Sequence, residues 1–100
     1  LSAAPPPGWR ATRGGLALSR VYVLRDFKEA AAFVRRIAAL AESLDHHPDL
    51  HLTRYGRLRV VLTSHDAGRV TERDRRLAVG IDATAQTASR REVRARTKRR

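Results

Sequence analysis

Between Asp26 and Pro48 the apolar residues Phe27, Ala30, Ala31, Val34, Ile37, Ala38, Ala41 and Leu44 recur at three- and four-residue steps, while Lys28, Arg35, Arg36 and Glu42 fall elsewhere on the wheel. That period belongs to an amphipathic helix laid on a surface it can bury against. Both ends are marked. Asp26 followed by Glu29 is a capping-box variant, in which the aspartate takes orphan amides and the glutamate reaches back. Pro48 has no amide and keeps His47 out of helical dihedrals, so the helix must end near Asp45 or His46.

The flanking segments alternate in the manner of strands. Residues 9–13, then Gly14-Gly15, then residues 16–24 read as a hairpin, because two glycines supply the positive φ of a tight turn. Residues 50–55 and 58–63, separated by Gly56-Arg57, form a second hairpin in which Leu58, Val60 and Leu62 share a face. Thr71 with Asp74 is another capping-box variant, and Val70, Asp74, Leu77, Ala78 and Ile81 make one helical stripe running to about Thr84. The order strand, strand, helix, strand, strand, helix predicts an α+β fold: a four-stranded antiparallel sheet with helices packed on one face. The open face and edges of so small a sheet invite self-association.

One hundred residues allow one domain with one core. The expected organisation is a flexible Pro-rich leader over residues 1–8, a domain over 9–85, and a basic tail over 86–100. Net charge is +11, of which the last eleven residues carry +6, leaving +5 on the other 89. Such a run is most often a solvated tail; its functional reading is contact with an acidic partner. Nucleic acid is the weaker candidate, because only five aromatics are present to interleave with the cations. With no cysteine, disulfides, thiolate zinc sites and cysteine nucleophiles are excluded. No stretch approaches the length of a membrane helix, so no membrane partner is expected. The expected location is the bacterial cytoplasm, with a removed targeting peptide left open by the start at Leu1.

Three of the four histidines belong to the pattern Glu42, His46-His47-Pro48, Tyr55, His65 and Asp74, and His51 lies between its positions. His46 and His47 sit where a helix hands over to a strand, and His65 just past the end of another strand. Those ends can converge, and imidazoles held rigidly around a concavity suit acid/base work near neutral pH. Bland readings stand beside this one. Asp74 is explained by capping, Glu42 by solvation of a helix face, Tyr55 and Trp9 by packing, and His51 as structural. Three imidazoles from His47, His51 and His65 could bind a metal in principle, but Pro48 breaks the helical spacing of the first two. Adjacent Ser64, His65 and Asp66 cannot form a relay.

In Glu42, His46-His47-Pro48, Tyr55, Ser64-His65 and Asp74 the chain resembles the pterin-4a-carbinolamine dehydratases, and the likeness extends over Trp9, Gly14-Gly15, Asp26-Phe27, Thr71-Glu72-Arg73-Asp74 and Ile81-Asp82. The resemblance implies loss of water from 4a-hydroxytetrahydropterin with no cofactor and no metal. It implies His46 and His65 as the acid/base pair and His47 as the residue that binds and orients the substrate. Pro48, Ser64, Asp66 and Ala67 would line the pocket, and Glu42, Tyr55 and Asp74 would support it. It also implies a homodimer or homotetramer. Leu50 stands where many members have an aromatic, and Arg69 where a glycine is usual. The chain further resembles the dehydratase-like proteins that serve as Rubisco assembly factors, which would make an acidic protein such as Rubisco its partner; that resemblance rests on His47-Pro48-Asp49-Leu50-His51-Leu52 and the extra charge.

Overall fold

The structure is a computed structural model that describes residues 5–64 and 67–99, with side chains through residue 85. Four antiparallel strands, β1 (Arg10–Thr12), β2 (Ala17–Val23), β3 (Asp49–Thr53) and β4 (Arg57–Leu62), lie in the order β1-β2-β4-β3. Helices α1 (Phe27–Leu44) and α2 (Glu72–Arg99) pack against each other and against one sheet face, as the element order predicts. The register puts Leu18 opposite Leu62, Tyr22 opposite Leu58 and Leu50 opposite Val60, so the strand residues of one parity meet the helices.

The core closes around Phe33 and Ile37 of α1, Leu77 and Ile81 of α2, and Leu58, Val60 and Leu62 of β4, all fully buried. The α2 stripe is buried as expected at Asp74, Leu77, Ala78 and Ile81. The α1 stripe is rotated from its expected position. Ala30, Phe33, Ile37 and Ala41 are buried, whereas Phe27 is 59% exposed. Phe33 stacks edge-on against Tyr22 with ring centroids 5.0 Å apart, and a helix rotated to bury Phe27 would lose that contact.

Turns differ in detail from the sequence expectation. The first hairpin closes with residues 13–16 in a short 3-10 turn, where Arg13 as well as both glycines has positive φ, rather than through a two-residue loop. In the second hairpin Arg54 and Tyr55 take the left-handed conformation. Gly56 is required by closeness: a Cβ there would stand 2.6 Å from the Leu24 carbonyl oxygen, and the Leu24 amide donates to the Gly56 carbonyl. Gly80 marks the near approach of the helices, facing Leu40. It does not end α2, whose backbone stays helical to Arg99, beyond the expected Thr84; alanines and long charged residues, all good helix formers, dominate that stretch. No helix among the described residues is long and apolar enough to cross a membrane.

The expected leader is partly built into the fold. Pro6 is buried, the Trp9 amide donates to its carbonyl, and Arg20 donates to the Pro7 carbonyl. These contacts follow from Asp82 on α2, whose carboxylate accepts from the Trp9 indole, the Arg20 guanidinium and the Tyr22 hydroxyl. One carboxylate thus joins the N-terminal segment, β2 and α2, and Arg20 also lies over the Tyr22 ring. Burial, then the hydrogen bond to Asp82 and its charge, push the Tyr22 phenol well above its ordinary value against the opposing pull of Arg20. The unfolded chain releases that proton near pH 10 while the folded chain keeps it, so the unfolded state binds fewer protons there and stability falls as pH rises. Urea unfolding between about pH 9.5 and 11 should show a steeper loss of stability for the wild type than for Tyr22→Phe; equal slopes would contradict this role for Tyr22.

Candidate active site

His46 is placed by the way α1 ends. Asp45 takes the left-handed conformation, the Asp45 amide donates to the Glu42 carbonyl and the His46 amide to the Ala41 carbonyl. This pair of bonds is a Schellman motif, which an aspartate can enter at modest cost. The residue after the left-handed position is commonly turned back onto the helix, and His46 is accordingly buried, at 6% exposure. Pro48 then commits the chain to β3. Two adjacent histidines leave the turn in different directions.

The His46 ring runs inward to α2. Its Nε2 lies 2.6 Å from Oδ1 of Asp74, a fully buried carboxylate. The other oxygen of Asp74 accepts from the Ser64 hydroxyl at 2.8 Å and from the Thr71 amide at 2.9 Å. Asp74 therefore uses its two oxygens separately: Oδ2 closes the capping box of α2, and Oδ1 holds His46. The proton directions follow from the partners. Because the Ser64 hydroxyl donates to Asp74, the Thr71 hydroxyl at 2.7 Å donates to Ser64, while it accepts from the Arg73 amide. A carboxylate acceptor fixes Nε2–H on His46 and leaves Nδ1 as the bare nitrogen of the neutral ring. That nitrogen has no partner among the described residues, and no unpaired side-chain atom there is sealed from solvent.

His47 points outward. Its Nε2 lies 2.5 Å from Oε2 of Glu42 on the last turn of α1, and both side chains are more than half exposed. Glu42 is thus a histidine partner rather than a lone solvated charge. An exposed pair of this kind orients a ring without adding much stability.

Other expected site residues divide into three groups. Pro48 is half-buried beside the histidines, and Ser64 is buried, with its hydroxyl engaged by Asp74 rather than open to a ligand. Ala67 is exposed, and its amide donates to the Ser64 carbonyl. Tyr55 stands apart: at 66% exposure it occupies the tip of the β3–β4 hairpin, the far end of β3 from His46 and His47. His65 and Asp66, expected as catalytic and pocket residues, lie outside the described residues. Thr71 joins the site network, although its sequence signal indicated only a helix start.

A Schellman turn, a His-His-Pro handover to an edge strand, and a buried carboxylate on the facing helix define a small α+β domain built to hold imidazoles at one end of its sheet. The model of the family described as pterin 4 alpha carbinolamine dehydratase matches residues 1–84. A Thermomicrobium roseum protein named "Putative pterin-4-alpha-carbinolamine dehydratase" is 54% identical over 72 residues, 72% of this chain and 74% of that protein. One of the same name from Nitrobacter winogradskyi is 48% identical over 80 residues, 80% of this chain and 78% of that protein. The chain belongs to the pterin-4a-carbinolamine dehydratase family. Among solved structures, a transcriptional coactivator/pterin dehydratase from Brucella melitensis superposes with a TM-score of 0.74 at 37% identity, covering 79% of this chain and 83% of that one. A pterin dehydratase-like protein described as a RuBisCO assembly factor in the alpha-carboxysome shares the fold, with a TM-score of 0.67 at 23% identity over 78% of this chain and 89% of that one.

Asp74→Asn tests the network. An asparagine can keep one oxygen toward Ser64 and Thr71 only by turning its NH2 toward His46. Imidazole nitrogen-15 shifts should then report a change of His46 from the Nε2–H to the Nδ1–H tautomer, with a stability loss of about 1–3 kcal/mol. An unchanged tautomer would mean that Asp74 does not orient the ring.

Proposed function

We propose that this protein removes water from a 4a-hydroxytetrahydropterin to give the quinonoid dihydropterin. The observation that carries this reading is the pair of adjacent histidines, each held through Nε2 by its own carboxylate, within the residues that the family model matches. The reaction breaks the C4a–O bond, uses the N5–H electron pair to form the C4a=N5 double bond, and releases water. One group must give a proton to the departing hydroxyl and another must take the N5 proton, and no redox change occurs.

His46 suits the second role. Its Nδ1 is the basic nitrogen once Asp74 has taken Nε2–H, and the imidazolium formed on accepting a proton would sit against a buried carboxylate. His65, paired with His46 by resemblance, is then left as the proton donor, and His47, steadied by Glu42, binds and orients the pterin. Pro48 and Ala67 would line the pocket, with Asp66 contributing by resemblance and Ser64 acting from behind it through Asp74. His46 and His47 are preorganised by bonds made within the protein, and by resemblance the scheme calls on no metal or cofactor.

The test is the rate of 4a-hydroxytetrahydropterin dehydration followed by ultraviolet absorbance. The wild type should exceed the spontaneous reaction, and His46→Ala and His65→Ala should each lose about 10²–10⁴-fold. A wild-type rate no higher than the spontaneous one would overturn the catalytic reading and put the assembly-factor role in its place.

A further inference from the structure

Exposed apolar side chains gather at the end of the domain away from the histidines. Val23 closes β2, Tyr55 sits at the tip of the β3–β4 hairpin and Phe27 opens α1, with exposures of 81%, 66% and 59%. No other large apolar side chain described is more exposed, and only Val79 equals Phe27. The loops that carry them are tied together. The Leu24 amide donates to the Gly56 carbonyl at 2.7 Å, and Gly56 lies too close to the Leu24 carbonyl to carry a side chain. Between the loops is a concavity of about 310 Å³, lined by Val23, Leu24, Arg54, Tyr55, Gly56 and Arg57.

The hairpin tip is strained. Arg54 and Tyr55 hold φ of 48° and 52°, the left-handed region that long or aromatic residues enter at a cost and that asparagine or glycine fills more readily. A cation and a phenol kept there nonetheless point to a purpose beyond closing the turn. The charge around them has one sign. Register places Arg57 beside Val23 on the sheet face that the helices leave open, and Arg54, Arg57 and Lys28 are exposed and make no ion pair among the described residues. The nearby acids are engaged: Asp26 pairs with Arg25 and accepts from the Glu29 amide, and Glu29 accepts from the Arg25 amide.

We propose that this end of the domain rests on an anionic lipid bilayer, with Val23, Phe27 and Tyr55 entering the headgroup layer and Arg54, Arg57 and Lys28 against lipid phosphates. Tyrosine suits that depth because its ring is apolar while its hydroxyl stays wet, and the stems of arginine and lysine lie along apolar surface while their heads reach phosphate. The layout also favours a bilayer. Apolar groups on separate turns, ringed by cations of one sign, need no matched pattern of acids on the other side, which a protein partner would have to supply. A second copy of this chain would bring the same cations face to face. The net charge of +11 adds attraction at longer range. The contact is with the bilayer surface, needs no spanning helix, and rests on no step of the pterin chemistry.

The experiment sediments the full chain with phosphatidylcholine vesicles made with and without phosphatidylglycerol. The wild type should bind the phosphatidylglycerol vesicles alone. Val23→Ser/Tyr55→Ser keeps the charge and should weaken binding about tenfold. Arg54→Glu/Arg57→Glu should weaken it at least about tenfold, whereas Arg69→Glu/Arg76→Glu, the same change of charge at exposed positions before and within the first turns of α2, should weaken it about threefold or less. Because the chain has no cysteine, a polarity-sensitive fluorophore can be attached through Val23→Cys or, on the last turn of α1, through Ser43→Cys. Vesicles should shift the emission of the first to the blue and leave the second unchanged. Circular dichroism of each variant keeps loss of fold separate from loss of binding. The proposal is overturned by no binding to phosphatidylglycerol vesicles, by equal weakening from the two arginine pairs, by binding indifferent to Val23→Ser/Tyr55→Ser, or by a shift at Ser43→Cys as large as at Val23→Cys. A wild-type dimer that Val23→Ser/Tyr55→Ser takes apart would overturn it too, since the apolar groups would then face a second copy.

Discussion

One buried carboxylate organises the site end of this protein. Asp74 sits where α2 begins, and its two oxygens face two different problems: the orphan amides of a helix N-terminus on one side and the Nε2–H of a buried histidine on the other. A carboxylate buried without donors would be costly, so each of its contacts is also a condition for burying it. The Ser64 hydroxyl at the end of β4 completes the set, which ties α2, the β4 exit and the α1–β3 turn to a single point. Ring orientation at His46 is therefore a consequence of how the domain closes.

Asp82 repeats the device two turns further along the same helix. It gathers the Trp9 indole, the Arg20 guanidinium and the Tyr22 hydroxyl, fixing the opposite part of α2 to β2 and the N-terminal segment. Between the two carboxylates lie Leu77, Ala78 and Ile81, which meet Phe33 and Ile37 across the core. Apolar burial supplies the bulk of the cohesion, and the carboxylates set where along the sheet α2 comes to rest. A site made of rings on one element and their partners on another depends on that placement to within a fraction of an ångström.

Helix α1 both closes the core and sets the histidines in place. Its buried stripe and its Schellman end deliver His46 and the Glu42–His47 pair, while its solvent face carries exposed Phe27 beside Lys28, Arg35 and Arg36, which make no ion pair among the described residues.

Much of this was legible in the residues. Periodicity fixed the type and order of the elements, Pro48 fixed where α1 had to stop, and Thr71 with Asp74 announced the start of α2, because each of these is a local preference of the backbone. The His-His-Pro run carried the family resemblance for the same reason. What local pattern could not supply was rotation and distance: which stripe of α1 turns inward, since Phe27 and Phe33 are equally apolar; whether Glu42 meets His47; whether Asp74 caps, orients a histidine, or does both; and that Tyr55 lies at the far end of its strand from the histidines. Those outcomes depend on contacts between residues far apart in the chain, such as Phe33 with Tyr22 and His46 with Asp74, and only the packing of the whole domain brings such residues to hydrogen-bonding and van der Waals range.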